Sequence, residues 1–222
     1  HRLILNSSTW QMSTAYNEQY AEQDPENRLL WRRDRARLDA EAMRDSLLAI
    51  SGQLDLTMGG SQLKTENRKY VTSTANVDPV VYDTNRRSVY LPIVRSALYD
   101  VFQAFDFADP SALSGERQTT TIAPQALFMM NSELVSHQTR LLSERLLNEE
   151  NSDNSSRLNR LYLLCYGRTP DETELHRALS YIDQYQQRWQ SDRPDETAQA
   201  ELRAWQSFCR IILSSNEFAY CE

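Results

Sequence analysis

The side chains that could do chemistry concentrate between Phe105 and Asn131, which reads FDFADPSALSGERQTTTIAPQALFMMN. Asp106 and Asp109 bracket Phe107 and Ala108 there. Two carboxyls in such proximity can run general acid–base chemistry when burial splits their pKa values. The structural alternative is simpler and favoured: Asp109-Pro110-Ser111 as a turn, and Asp106 ending a helix by bonding to backbone. Arg117 and Thr119-Thr120-Thr121 precede Pro124-Gln125-Ala126-Leu127. A threonine capping a proline-started helix, with an arginine beside it, can hold an anion at the helix N-terminus. Alternatively, Arg117 pairs with Asp106 or Asp109 and pins the loop. Gln125 and Asn131 flank the apolar run 126–130 and are expected to satisfy buried backbone groups. Asp106, Asp109, Arg117 and Asn131 are therefore the candidate catalytic residues.

A second concentration of charge is the set Arg28, Arg32, Arg33, Arg35, Arg37 and Arg44 around Trp31. Of these, Arg32, Arg33, Arg35 and Arg37 are candidate contacts for an acidic partner or an anionic glycan. Asp34, Asp39, Glu41 and Asp45 are interspersed, so internal ion pairing is the favoured expectation. The chain carries 22 arginines against two lysines. The arginine fork suits carboxylates and backbone carbonyls.

Other chemistries find little footing. The histidines His1, His137 and His176 are far apart, and no D-x-D-x-D-G run occurs, so no metal site is expected. There is no G-x-S-x-G elbow. Five glycines, none grouped as a phosphate loop, argue against nucleotide binding. Cys165, Cys209 and Cys221 form no C-x-x-C pair, which speaks against a zinc ribbon, thioredoxin chemistry or covalent haem attachment. Cys165 and Cys209 sit among apolar residues and are expected as buried thiols. A single disulfide is the alternative in an exported protein.

The elements that must position these residues follow from composition. The 222 residues are 40% hydrophobic and 25% charged, with only five glycines and seven prolines, which suits helices. A net charge of -7 argues against nucleic-acid binding through a basic face. No apolar run approaches the roughly 20 residues needed to span a bilayer. No signal peptide is visible, and the start at His1, inside an apparent helix, is read as a cut in a longer polypeptide.

Periodicity predicts an all-α, compact multi-helix domain of about eight or nine helices over 1–222. Helices are expected over 1–20, after Asp24-Pro25 through Trp31, after Asp39 to about Gly52, and from Arg95 to Phe105. Another runs from Asn131 or Ser132 to about Asn148. Three more follow, opening at Ser156, at Thr169-Pro170-Asp171-Glu172 and near Pro194. Residues 59–94 read as an irregular excursion holding, at most, one small β-hairpin from 77–82 and 88–91. The polar stretch 149–156 offers a candidate subdomain boundary.

Several segments together resemble a known family. They are His1-Arg2-Leu3-Ile4, Asp24-Pro25-Glu26-Asn27-Arg28-Leu29-Leu30, Arg37-Leu38-Asp39-Ala40-Glu41 and Arg86-Arg87-Ser88-Val89-Tyr90. They continue with Phe105-Asp106 and Asp109, Arg117, Thr121-x-x-Pro124-Gln125-Ala126-Leu127 and Asn131, then Gly167-Arg168-x-Pro170 and Asn216-Glu217-Phe218-Ala219-Tyr220. In order and spacing these are similar to the PSD1, or DUF1553, domain.

The resemblance implies a C-terminal part of large exported proteins of Planctomycetes and related bacteria. There the domain follows a c-type cytochrome domain and a DUF1549 domain, in the periplasm or at the cell surface. The family brings no established catalytic residues. Haem is expected only in the separate cytochrome domain, and no cofactor in this one. The leading expectation is a non-catalytic module docking on those neighbours. The rivals are a half-site of a redox or carbohydrate-processing enzyme, and glycan binding through the Arg28–Arg44 cluster.

Overall fold

A computed structural model describes residues 1–60, 62, 82–93, 98–113, 115, 117, 119–150 and 152–221. Among them are ten α-helices, two 3-10 helices and one two-stranded sheet. The all-α expectation is met.

The N-terminal segment departs most from its pattern. Only α1 (Arg2–Leu5) and α2 (Glu18–Gln23) are helical there, and neither buries a residue. Without a face to bury, such short helices have little to hold them. Asp24-Pro25 starts no helix. The Asp24 carboxylate instead accepts from the amides of Arg28 (2.9 Å) and Leu29 (2.7 Å), and the Trp31 indole N–H donates to the Asp24 carbonyl at 2.9 Å. Asn27 and Leu30 sit at φ of 55° and 54°. Two left-handed residues and a side chain that competes for backbone amides make a tight turn where the capping signal read as a helix.

Strand β1 (Ala36–Arg37) leads into α3 (Ala40–Ser51). Asp39 caps α3 by accepting from the Ala42 amide at 2.8 Å. Gly52 closes it at φ 80°, a conformation a side chain would strain. The helix buries Met43, Leu47, Leu48 and Ile50 together with Arg44.

Of the expected hairpin, 77–81 lies outside the described residues. Ser88–Tyr90 forms a 3-10 turn, not an extended piece. The cause is Asp45, which accepts from the Ser88 amide (2.8 Å) and hydroxyl (2.7 Å) and tightens the chain there. The small antiparallel sheet forms elsewhere, joining distant parts of the chain.

Helix α4 (Asp100–Ala104) is followed by the loop carrying Asp106, then α5 (Ala123–Asn131) and α6 (Glu133–Leu147). The cap before α5 is Ile122, not a threonine; the Gln125 side chain accepts from its amide at 3.4 Å. Ser132 caps α6 through the Val135 amide at 3.3 Å.

Next come α7 (Asn154–Tyr166), α8 (Glu172–Asp192), a 3-10 turn (Pro194–Gln199) and α9 (Ala200–Leu213). Asp153, ahead of Ser156, caps α7, and Gly167 ends it at φ 72°. Asp171 caps α8 in a reciprocal box with Glu174. The chain finishes with α10 (Asn216–Ala219) and β2 (Tyr220–Cys221). Strand β2 pairs antiparallel with β1, Ala36 opposite Cys221 and Arg37 opposite Tyr220.

Helix α9 is the centre of the core. It lies against both α6 and α8 and buries Ala204, Trp205, Phe208, Cys209, Ile212 and Leu213. Each such large apolar side chain contributes about 1.5–3 kcal/mol by leaving water. Buried residues from both sides of 149–156, such as Leu142 and Leu161, share this cluster. The Cys209 thiol is fully buried, and burial pushes its pKa up to about 12 despite a bond from the Ser143 hydroxyl. Burial likewise pushes Cys165 up. All three cysteines are free thiols.

Candidate functional site

The loop after α4 is organised around Asp106. Its backbone takes φ 56°, which turns the carboxylate inward. Arg37 Nη2 donates to Asp106 Oδ2 at 2.8 Å. The Thr120 amide donates to the same oxygen at 2.8 Å and the Thr120 hydroxyl to Oδ1 at 2.9 Å, with Gln125 Nε2 at the edge of range, 3.5 Å. Partial burial opposes the charge of Asp106. The Thr120 amide and hydroxyl and the Arg37 guanidinium outweigh it and hold the carboxyl below the usual aspartate range.

Arg37 itself is nearly buried, its side chain 4% exposed. It also donates to the carbonyls of Thr120 (2.7 Å) and Phe105 (3.3 Å) and lies over the Phe105 ring. It reaches that position because the β1–β2 pairing fixes its backbone opposite Tyr220. The Tyr220 hydroxyl closes the same corner through Thr121 at 3.0 Å. Four motif segments therefore meet at one polar knot.

The other candidates lie outside it. Arg117 does not pair with Asp106. It grips Glu41 with two bonds of 2.7 Å, reaches Asp39 at 3.9 Å, and lies over the Phe107 ring. Glu41 is partly buried, which opposes its charge, but the Arg117 fork keeps its carboxyl below the ordinary glutamate range. Asp109 accepts from the Ser111 amide (2.8 Å) and hydroxyl (2.5 Å) and shapes a turn. Asn131 sits exposed at the end of α5, beside a separate groove. The two aspartates thus have separate hydrogen-bond partners.

In the arginine cluster, Arg32 stacks on Trp31 (4.9 Å) and Tyr16 (5.6 Å), and Arg33 lies over Trp10 (5.5 Å). Arg44 is buried and donates to the carbonyls of Arg86 and Thr84. Arg28 pairs with Glu26 at the surface. Arg44 also meets Asp45, one of the interspersed acids, at 3.5 Å, so ion pairing, aromatic faces and backbone carbonyls all engage this cluster.

A second clamp lies outside the candidate residues that the sequence points to. Arg168 holds Glu174 through bonds of 2.7 and 2.8 Å and Glu217 through bonds of 2.6 and 2.8 Å. It ties α7 and α8 to α10, and the Glu174 carboxyl falls to about 2 chiefly because of Arg168. The signal was present in Gly167-Arg168 and Asn216-Glu217, but nothing in their spacing, 49 residues, joins them. Beside this clamp, Ala49, Ile50, Cys165, Tyr166 and Phe218 line a cleft of about 700 Å³. Among the described residues no group of three His, Cys, Asp or Glu side chains is placed to hold a metal ion. No helix among them is long and apolar enough to cross a membrane.

Over residues 1–182 the chain matches PSD1, protein of unknown function (DUF1553). The chain belongs to the PSD1 family. No curated protein and no solved structure matches it. Within this PSD1 chain the segments that carry the resemblance are the ones whose side chains make the structural pins: Arg37, Asp106 and Gln125 in the knot, Arg117 with Glu41, and Arg168 with Glu217.

Proposed function

We propose that this PSD1 chain is a non-catalytic helical module that docks on neighbouring domains of a large exported protein, namely a c-type cytochrome domain and a DUF1549 domain, in the periplasm or at the cell surface. One observation carries the non-catalytic part. The polar side chains of the motif residues Asp106, Arg117 and Gln125 hold the fold. The Asp106 carboxylate takes bonds from Arg37, Thr120 and Gln125, and Arg117 is engaged by Glu41. A general acid or base needs an atom free to meet substrate, and these groups already have partners inside the chain.

The docking part is supported by charge. A net charge of -7 complements a basic cytochrome face, and such complementarity speeds and orients association. The haem belongs to the cytochrome domain in this reading. The test is to mix the purified haem domain with this chain and follow binding and the haem redox potential. Association that weakens with salt is expected. Absence of both binding and a shift in potential would overturn the reading.

A further inference from the structure

Helix α5 contains no charged residue; its sequence is APQALFMMN. One side of it packs inward through Gln125 and Met129. The opposite side is also apolar yet faces solvent, with Leu127 56% and Met130 55% exposed. A surface helix normally puts polar residues outward, and one that is apolar all round is normally covered. Leu127, with Pro124 and Asn131 beside it, forms one wall of a groove of about 970 Å³ between α4, α5 and α6; Met130 lies outside that lining. Phe128 and Leu134 add apolar lining, while Asp100 and Glu133 are its acidic residues. No lysine or arginine lines it among the described residues; His137 is the only basic side chain there.

We infer that this groove is a docking site for a basic amphipathic helix of a partner. The inference rests on the docking role proposed above and assigns that role a surface. Two features choose the occupant. The walls are helices with no open strand edge among the described residues, so an added β-strand finds no backbone partners, whereas a helix can seat its side-chain ridge. The acidic groups beside an apolar lining then match lysine or arginine flanking an apolar stripe. Helix α5 spans about 13 Å at ~1.5 Å per residue, which two to three turns of a guest helix would cover.

The test uses the 222-residue chain and a fluorescent synthetic Leu/Lys amphipathic peptide of about 14 residues, long enough for the groove. A Leu/Glu peptide of the same pattern serves as the control. Anisotropy should show binding of the Leu/Lys peptide and none of the control. Leu127→Asp should weaken it about tenfold, the scale of a central interface side chain, whereas Met130→Asp, outside the groove lining, should leave it unchanged. Asp100→Asn with Glu133→Gln should weaken it less and flatten its salt dependence.

Leu127 and Met130 are exposed, so unchanged melting temperatures are expected. If Leu127→Asp melts early, Leu127→Gln replaces it. Equal binding to wild type and Leu127→Asp, or equal binding of the Leu/Glu peptide, overturns the inference. So does a dimer of the chain that Leu127→Asp dissolves, because the occupant would then be a second copy. If the haem domain binds while Leu127→Asp changes nothing, the groove assignment fails and the docking role stands. If the peptide binds in the groove but the haem domain does not bind, the reverse holds.

Discussion

The bundle of α6, α8 and α9 and the loop region around Arg37 and Asp106 are held by different physics. In the bundle, Leu142, Ile182, Trp205 and Leu213 interdigitate with almost no exposed surface. Its cohesion is non-directional, so it tolerates neighbours of similar size and shape. In the loop region two short strands, a left-handed aspartate and a triplet of threonines have little apolar area to bury. They are fixed by directional bonds: Arg37 to Asp106, Thr120 to Asp106, Tyr220 to Thr121. Directional bonds set geometry but make the region dependent on single atoms. The difference teaches why the motif residues look like an active site in sequence. Polar side chains gathered without periodicity can serve a catalytic centre or a loop that must hold shape without a core.

The largest expected effect lies in the bundle. Trp205→Ala removes a fully buried ring and should cost about 3–5 kcal/mol in denaturant unfolding; a loss under about 1 kcal/mol would mean α9 is not the centre of the core. Next comes the knot. Arg37→Met leaves the Asp106 charge without its cation and should cost about 3 kcal/mol, whereas adding Asp106→Asn, which tolerates φ 56° and still accepts from Thr120 without a charge, should restore part of that loss. If the double variant is no better than the single, the knot is not an isolated charge pair.

Acid sharpens the contrast. The folded pKa values of Asp106 and Glu174 are depressed, so their contribution to stability is complete above their unfolded values. It is lost as pH falls through the folded values, about 2 for Glu174. Denaturant midpoints measured from pH 5 down to about 2 should therefore fall. Glu174→Gln should flatten that decline, and an unchanged slope would remove Arg168 from the account. The smallest effect is expected at Arg188, whose i,i+4 contact with Asp192 is open to water. Arg188→Ala should stay within about 0.5 kcal/mol, and a larger loss would blur the line between pinning and surface arginines.

Helices with both a cap and a buried stripe were legible. Asp39 before Met43, Leu47 and Ile50 gave α3, and Ser132 with Leu142 and Leu146 gave α6. Gly167 and the acids after Pro170 framed α7 and α8. A cap without a stripe misled, as at Asp24, where the same side chain that could start a helix closes a turn. Of the site, Asp109 was legible as a turn, but the carboxylate of Asp106 was expected at a helix end and instead meets Thr120 and Arg37, 14 and 69 residues away. The partner of Arg117 was not, because Glu41 lies 76 residues away and sequence offers Asp106 and Asp109 first.

By itself the sequence determined the local terms from α3 onward: which stretches are helical, where most of them start and stop, which faces are apolar, and which family the chain belongs to. These depend on residues three or four apart and on caps within one turn, so they are written in short windows. The tertiary structure alone decided the pairings across distance: Arg37 with Asp106, Arg168 with Glu217, and Ala36 with Cys221. Many acids could have satisfied each arginine. Only burial of the bundle, which brings α10 and β2 back to the start of α3, leaves these within reach.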